Sequence, residues 1–133
     1  MNSHAIKTGF IVAAAASLVV SAAPAFAHHS GAMFDSDKEI TINGTVREFQ
    51  YTNPHSWIQV VVPGESGKSL EWSIEAAAPI VLFRAGIKKT AFLPGDKVSV
   101  RVHPMKDGTP GGSLIDAKKA DGTVISLRGP GIN

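Results

Sequence analysis

Histidine is scarce in this 133-residue chain, and where its five copies fall is what invites chemistry. His28 and His29 stand side by side directly after "AFA", His55 follows Asn53-Pro54, and His103 precedes Pro104. Neutral imidazole is a good ligand for copper, zinc and nickel. The fifth, His4, lies in an N-terminal segment that reads as a leader. If that leader is cut after Ala27, His28 becomes the first residue. Its free α-amine and its own ring then chelate one Cu(II), leaving room for an imidazole from elsewhere. A cut after Ala25 instead leaves Phe26-Ala27-His28. A histidine in third position binds Cu(II) or Ni(II) in a plane, through the amine, two deprotonated amides and the ring. Both products are nitrogen-rich, which suits copper or nickel rather than magnesium or calcium. The expected metal ligands are therefore His28, His29, His55 and His103, with copper as the ion. Met105 offers a thioether to Cu(I), or a side chain that simply packs. Plainer roles are open to the others: His55 can pin the "TNPH" turn through its ring, and His103 can end a strand at the surface.

A second constellation is aromatic. Tyr51, Trp57 and Phe49 are expected to share a strand face near Gln59, Arg47 and Glu71. Tyr51, Trp57, Gln59 and Arg47 form a candidate ligand-binding set for a small molecule, an oligosaccharide or a periplasmic protein partner, because small barrels hold such ligands on exposed aromatics. The alternative is that Tyr51 and Trp57 cover a small second core beneath the N-terminal arm. No enzyme is expected. Glu71 and Glu75 lie four apart on one strand face, too far along it for a close acid pair. Ser30, Ser56 and Ser73 lack a nucleophile-elbow setting, and "PGDK" and "DGTPGG" lack the strand-to-helix context of a phosphate loop.

The elements that must position these residues follow from composition and pattern. Residues 1–27 read as a cleavable signal peptide: a short n-region with Lys7, an apolar run from Gly9 to Val20, and a small-x-small ending at Ala27. The apolar run is shorter than the ~20 residues a membrane span needs, so no stable anchor is expected after cleavage. The product should be periplasmic. There is no cysteine, which excludes disulfides, thiolate metal sites and cysteine nucleophiles. Net charge is only +2 and the basic residues are scattered, which argues against nucleic acid as a partner. Residues 28–37 read as an N-terminal arm and 38–133 as one β-barrel domain.

Within that domain "KEITINGTVREFQYTN" alternates Ile40, Ile42 and Val46 on one face. Its parity switches afterwards, as expected of a strand that bends or bulges at Gly44. "HSWIQVVVP" and "SLEWSIEA" are strands joined by the turn "PGESGK", with Leu70, Trp72 and Ile74 inward. "APIVLFRAGIKK" reads as one short helix opened by Pro79 and stopped by Gly86, with Ile80, Leu82 and Phe83 as its apolar face. "LPGDKVSVRVHP", "SLIDAKKA" and "TVISLRG" supply two or three more strands. Three strands, one helix and further strands make a mainly β protein. The layout is that of a small five- to six-stranded barrel of the oligonucleotide/oligosaccharide-binding (OB) type, with one helix between strands 3 and 4.

The chain resembles a family of small exported bacterial proteins of unknown function. The resemblance is carried by "HHSGAMFD", "GTVREFQYTNPHSWI", "LEWSIEAAAP", "LPGDKVSVRVHPMKDGTPGG" and the closing "DG". It implies a periplasmic, barrel-like domain and implies no activity.

Overall fold

The computed structural model describes residues 30–127, so the expected signal peptide at 1–27, His28 and His29 lie outside the described residues. Strand β1 (Ile40–Gln50) carries the alternation expected of it, and Ile42 and Val46 are buried. β2 (Trp57–Pro63) pairs with it and β3 (Ser69–Glu75) with β2, in meander order. The intervening turn contains Ser66 and Gly67 at φ 61° and 74°. Helix α1 (Pro79–Arg84) follows, with Pro79 in its first turn, and the chain leaves it at Gly86 with φ 80°. A glycine takes that left-handed conformation without a Cβ clash. β4 (Lys97–Pro104), β5 (Gly111–Lys119) and β6 (Val124–Ser126) complete the order.

Pairing closes the sheet. β1 uses its first half against β4 and its second half against β2, and β3 meets β5 in parallel through Ser73–Gly111, Ile74–Gly112 and Glu75–Ser113. The result is a closed five-stranded barrel in the order β1-β2-β3-β5-β4. β6 is added where the edge of β5 runs past β3. This is the OB-type arrangement, helix between strands 3 and 4 included. Ile42, Val46, Ile58, Val60, Ile74, Val98, Val100, Val102 and Leu114 fill the interior, joined by Leu82, Ile87 and Phe92. Each fully buried aliphatic contributes roughly 1.5–3 kcal/mol. With no disulfide to help, this core is the main source of stability.

Three local expectations are corrected. The irregularity in β1 falls between Val46 and Glu48, not at Gly44. That bulge returns Phe49 to the interior, where its ring meets Phe92 edge-on at 5.2 Å. Gly44 keeps the alternation and serves close approach, since a Cβ there would lie 2.5 Å from the Val61 carbonyl oxygen. Helix α1 buries Leu82 alone, while Ile80 and Phe83 are exposed. Fewer than two helical turns present only one residue to the barrel. Leu70 is also exposed, because its partner Val62 lies toward the tip of the β2–β3 hairpin, past the stretch of β3 that β5 closes.

Candidate functional site

The segment 51–56 links β1 to β2 and delivers His55. It is tied down along its length. The Thr52 hydroxyl donates to the His55 carbonyl at 3.0 Å. Buried Ser56 exchanges backbone hydrogen bonds with the far end of β3, its N–H to the Ala77 carbonyl and its carbonyl from the Ala76 N–H. The Asn53–Pro54 peptide is cis. So held, His55 places Nδ1 2.5 Å from Oε1 of Glu75. The ring is a third exposed, whereas the Glu75 side chain is 9% exposed.

Register places Glu75 on the outer face of the barrel. Ile58 and Ile74 are paired and fully buried, so the next pair, Trp57 and Glu75, points the other way. The same outward row continues to Ser113 on β5 and His103 on β4. One row further along, Gln59 donates to the Ser73 hydroxyl at 3.1 Å. Neighbouring strands lie about 4.8 Å apart, which puts the backbones of Glu75 and His103 about 10 Å from each other. Among the described residues no three histidine, aspartate or glutamate side chains gather to hold a metal ion. His103 thus ends the row in which Glu75 stands, and His55 reaches that row at Glu75 from the loop before β2.

His103 is also fixed through Nδ1, 2.8 Å from the Lys38 carbonyl oxygen. A carbonyl or a carboxylate only accepts, so in both residues Nδ1 carries a hydrogen, and in the neutral ring Nε2 is left with the lone pair. The N-terminal arm runs beside β4 at this point. Phe34 bridges Met105, the Asp35 N–H donates to the Pro104 carbonyl, and the Lys106 N–H donates to the Met33 carbonyl. A short 3₁₀ turn, Ser30–Met33, leads into that contact, and the Lys106 ammonium donates to the Ala32 carbonyl within it. Phe34 is buried. Met105 lies against Gly111, where an added Cβ would come within 3.3 Å of its Cγ. The Asp35 carboxyl is held below the ordinary range chiefly by the Lys38 ammonium. That of Asp107, in the turn after β4, is held low by the Thr109 hydroxyl and N–H.

The aromatic constellation comes apart. Trp57 pairs with Gln50 and therefore faces outward with it, while Tyr51 follows Phe49 to the core side, ring against ring at 5.6 Å. The Tyr51 hydroxyl lies 2.9 Å from the Pro79 carbonyl and 3.1 Å from that of Ile87, so it ties both ends of the helical excursion to β1. Tyr51 and Trp57 do not share a face. Gln59 is committed to Ser73, and Arg47 grips Glu71 through two contacts of 2.8 Å. A shallow groove of about 510 Å³ lies elsewhere, lined by Asn43, Thr45, Lys97, Ser99, Lys118 and Lys119. It holds no histidine, and Lys97 and Lys119 are already bound to Thr45 and Asp96.

Sequence reasoning missed Glu75 as the partner of His55, although a signal was available. In a tight hairpin every step back along β2 is matched by a step forward along β3. The turn "PGESGK" therefore already sets Trp57 opposite Glu75.

A family model described as a family of unknown function, DUF6152, matches residues 14–114. The chain belongs to DUF6152. Neither a curated protein nor a solved structure matches it. For this DUF6152 chain the site must therefore be argued from its own geometry.

Proposed function

We propose that this DUF6152 protein is exported to the periplasm and binds a copper ion there. The ligands are its mature N-terminus, with His28 and His29, and imidazoles from the barrel face, His55 first and His103 as the second donor. The observation that carries the reading is that both barrel histidines are held at Nδ1 by fixed oxygens, which leaves Nε2 as the donor. Metal-binding histidines are held in this way, the other ring nitrogen donating to a carboxylate or a carbonyl. The arm adds support. Its described part, beginning at Ser30, is stapled beside the C-terminal end of β4, and His28 and His29 directly precede it in sequence. The small-molecule alternative rested on a Tyr51/Trp57 face, and with Tyr51 turned inward only Trp57 remains of it.

The test is copper titration of the mature protein, with its N-terminal mass determined first and the bound ion followed by electron paramagnetic resonance. Binding tighter than micromolar is expected, with hyperfine structure from several nitrogens. His28→Ala and His55→Ala should each weaken binding by at least ~10–100-fold, the loss typical of disturbing even an outer-shell partner. Micromolar or weaker binding that neither substitution changes overturns the proposal.

A further inference from the structure

Glu75 is a carboxylate where a carboxylate is not easily kept. It sits at the C-terminal end of β3 with Ile74 fully buried before it and Ala76 buried after it. Trp57 flanks it on one side of its row and Ser113 on the other. Its own surface is almost wholly covered. An ionised side chain is retained in such a place only with a partner that returns what water gave it. Among the described residues the partner of its carboxylate is the His55 ring, whose Nδ1 lies 2.5 Å from Oε1 and can donate a hydrogen bond in the neutral form. The loop that carries His55 is meanwhile anchored by Thr52 and Ser56, so ring and carboxylate are each delivered by a rigid element. The pair combines an exposed ring edge with a hidden acid, and only the ring can reach a ligand.

We propose that Glu75 is a positioning residue. It fixes the His55 ring as the Nδ1–H tautomer and turns Nε2 outward as an electron-rich donor toward a copper ion. The inference rests on the copper reading above for the identity of the ion, but the tautomer belongs to the metal-free protein. A carboxylate acceptor restricts ring rotation, selects the tautomer and raises the donor strength of the opposite nitrogen. A glutamine in its place keeps the shape and an acceptor oxygen and loses the charge. An alanine loses all three.

Nitrogen-15 correlation spectra of the metal-free protein, taken at a pH where histidine is neutral, read the tautomer directly. Wild type should show a pyrrole-type Nδ1 and a pyridine-type Nε2 at His55. Glu75→Gln should keep that pattern, and Glu75→Ala should let the ring average between tautomers. Copper affinity should then fall by ~10–100-fold in Glu75→Ala, with Glu75→Gln between it and wild type. The glutamine variant guards against misfolding of the alanine variant, since it preserves packing. An Nε2–H ring in wild type, or a tautomer that Glu75→Ala leaves untouched, overturns the role of Glu75. So does copper affinity that drops in His55→Ala but not in Glu75→Ala. If the tautomer behaves as described and His55→Ala leaves copper binding unchanged, it is the copper reading that fails.

Discussion

At the scale of single residues the barrel wall beside His103 is arranged around an atom that is missing as much as around those present, because Gly112 pairs with buried Ile74 and so faces the interior. Gly112 stands next to Ser113, and a Cβ there would lie 2.6 Å from the His103 carbonyl oxygen and 2.8 Å from Val102 Cγ2. Neither neighbour can give way: one is backbone, and Val102 is fully buried. Gly112→Ala should therefore cost about 1–3 kcal/mol, as overpacking does, and push β4 off β5 at His103. A urea titration measures the first effect, and the chemical shifts of the His103 ring the second. At this scale the sequence shows which side chains are present but not what holds them. Imidazoles are visible as letters, whereas the Lys38 carbonyl that holds His103 depends on how the arm comes back along β4. Glu75 could be placed on the outward face from alternation alone, as the register has it, but its burial could not be read. Its burial comes from the loop that lays His55 over it.

At the scale of elements, the turn entering β4 shows how a short loop is made rigid. The Asp96 carboxylate accepts the Leu93 N–H at 2.9 Å and pairs with the Lys119 ammonium at 2.8 Å, while its backbone carbonyl accepts the Val46 N–H. One residue thus joins the turn, β5 and β1. Asp96→Ala should destabilise the fold by about 1–2 kcal/mol, the range of a lost capping hydrogen bond. The Lys119 ammonium and the Leu93 N–H hold the Asp96 carboxyl below the ordinary aspartate value of 3.8. The folded chain therefore gives up this proton more readily than the unfolded one. The stabilisation is complete above the ordinary value and is lost as pH falls through the lower folded-state value. The urea midpoint of wild type should drop across that window, and Asp96→Asn should flatten the drop. Periodicity and glycine placement foretold the strands and the helix well. The bulge between Val46 and Glu48 was displaced to Gly44 because a sequence shows that parity changes but not where the partner strand slips. The exposed side of α1 was misread because six residues look amphipathic whichever side is covered.

For the molecule as a whole, the described part of the arm is held to the barrel by an anchor of its own. Its anchor, Phe34, is buried yet lies outside the main core cluster. Phe34→Ala should leave the strands intact and release the arm. Backbone amide exchange at Asp35 and Lys106 would accelerate while that of the β1–β2 ladder stays slow, and on the copper reading proposed above copper affinity would fall with it. Retained protection at Asp35 would show that backbone pairing alone holds the arm. The meander and the helix could be read from local pattern, and closure could not, since parallel pairing of β3 with β5 leaves no local mark. That pairing has a consequence in time. β1, β2 and β3 can zip together through neighbouring hairpin contacts, but the outer edge of β3 stays bare until residues far down the chain arrive to cover it at Ser73–Gly111. Until then a folding molecule carries an open, hydrogen-bond-hungry strand edge. Such edges recruit other chains, so the few ladder bonds that close this barrel are also its defence against aggregation.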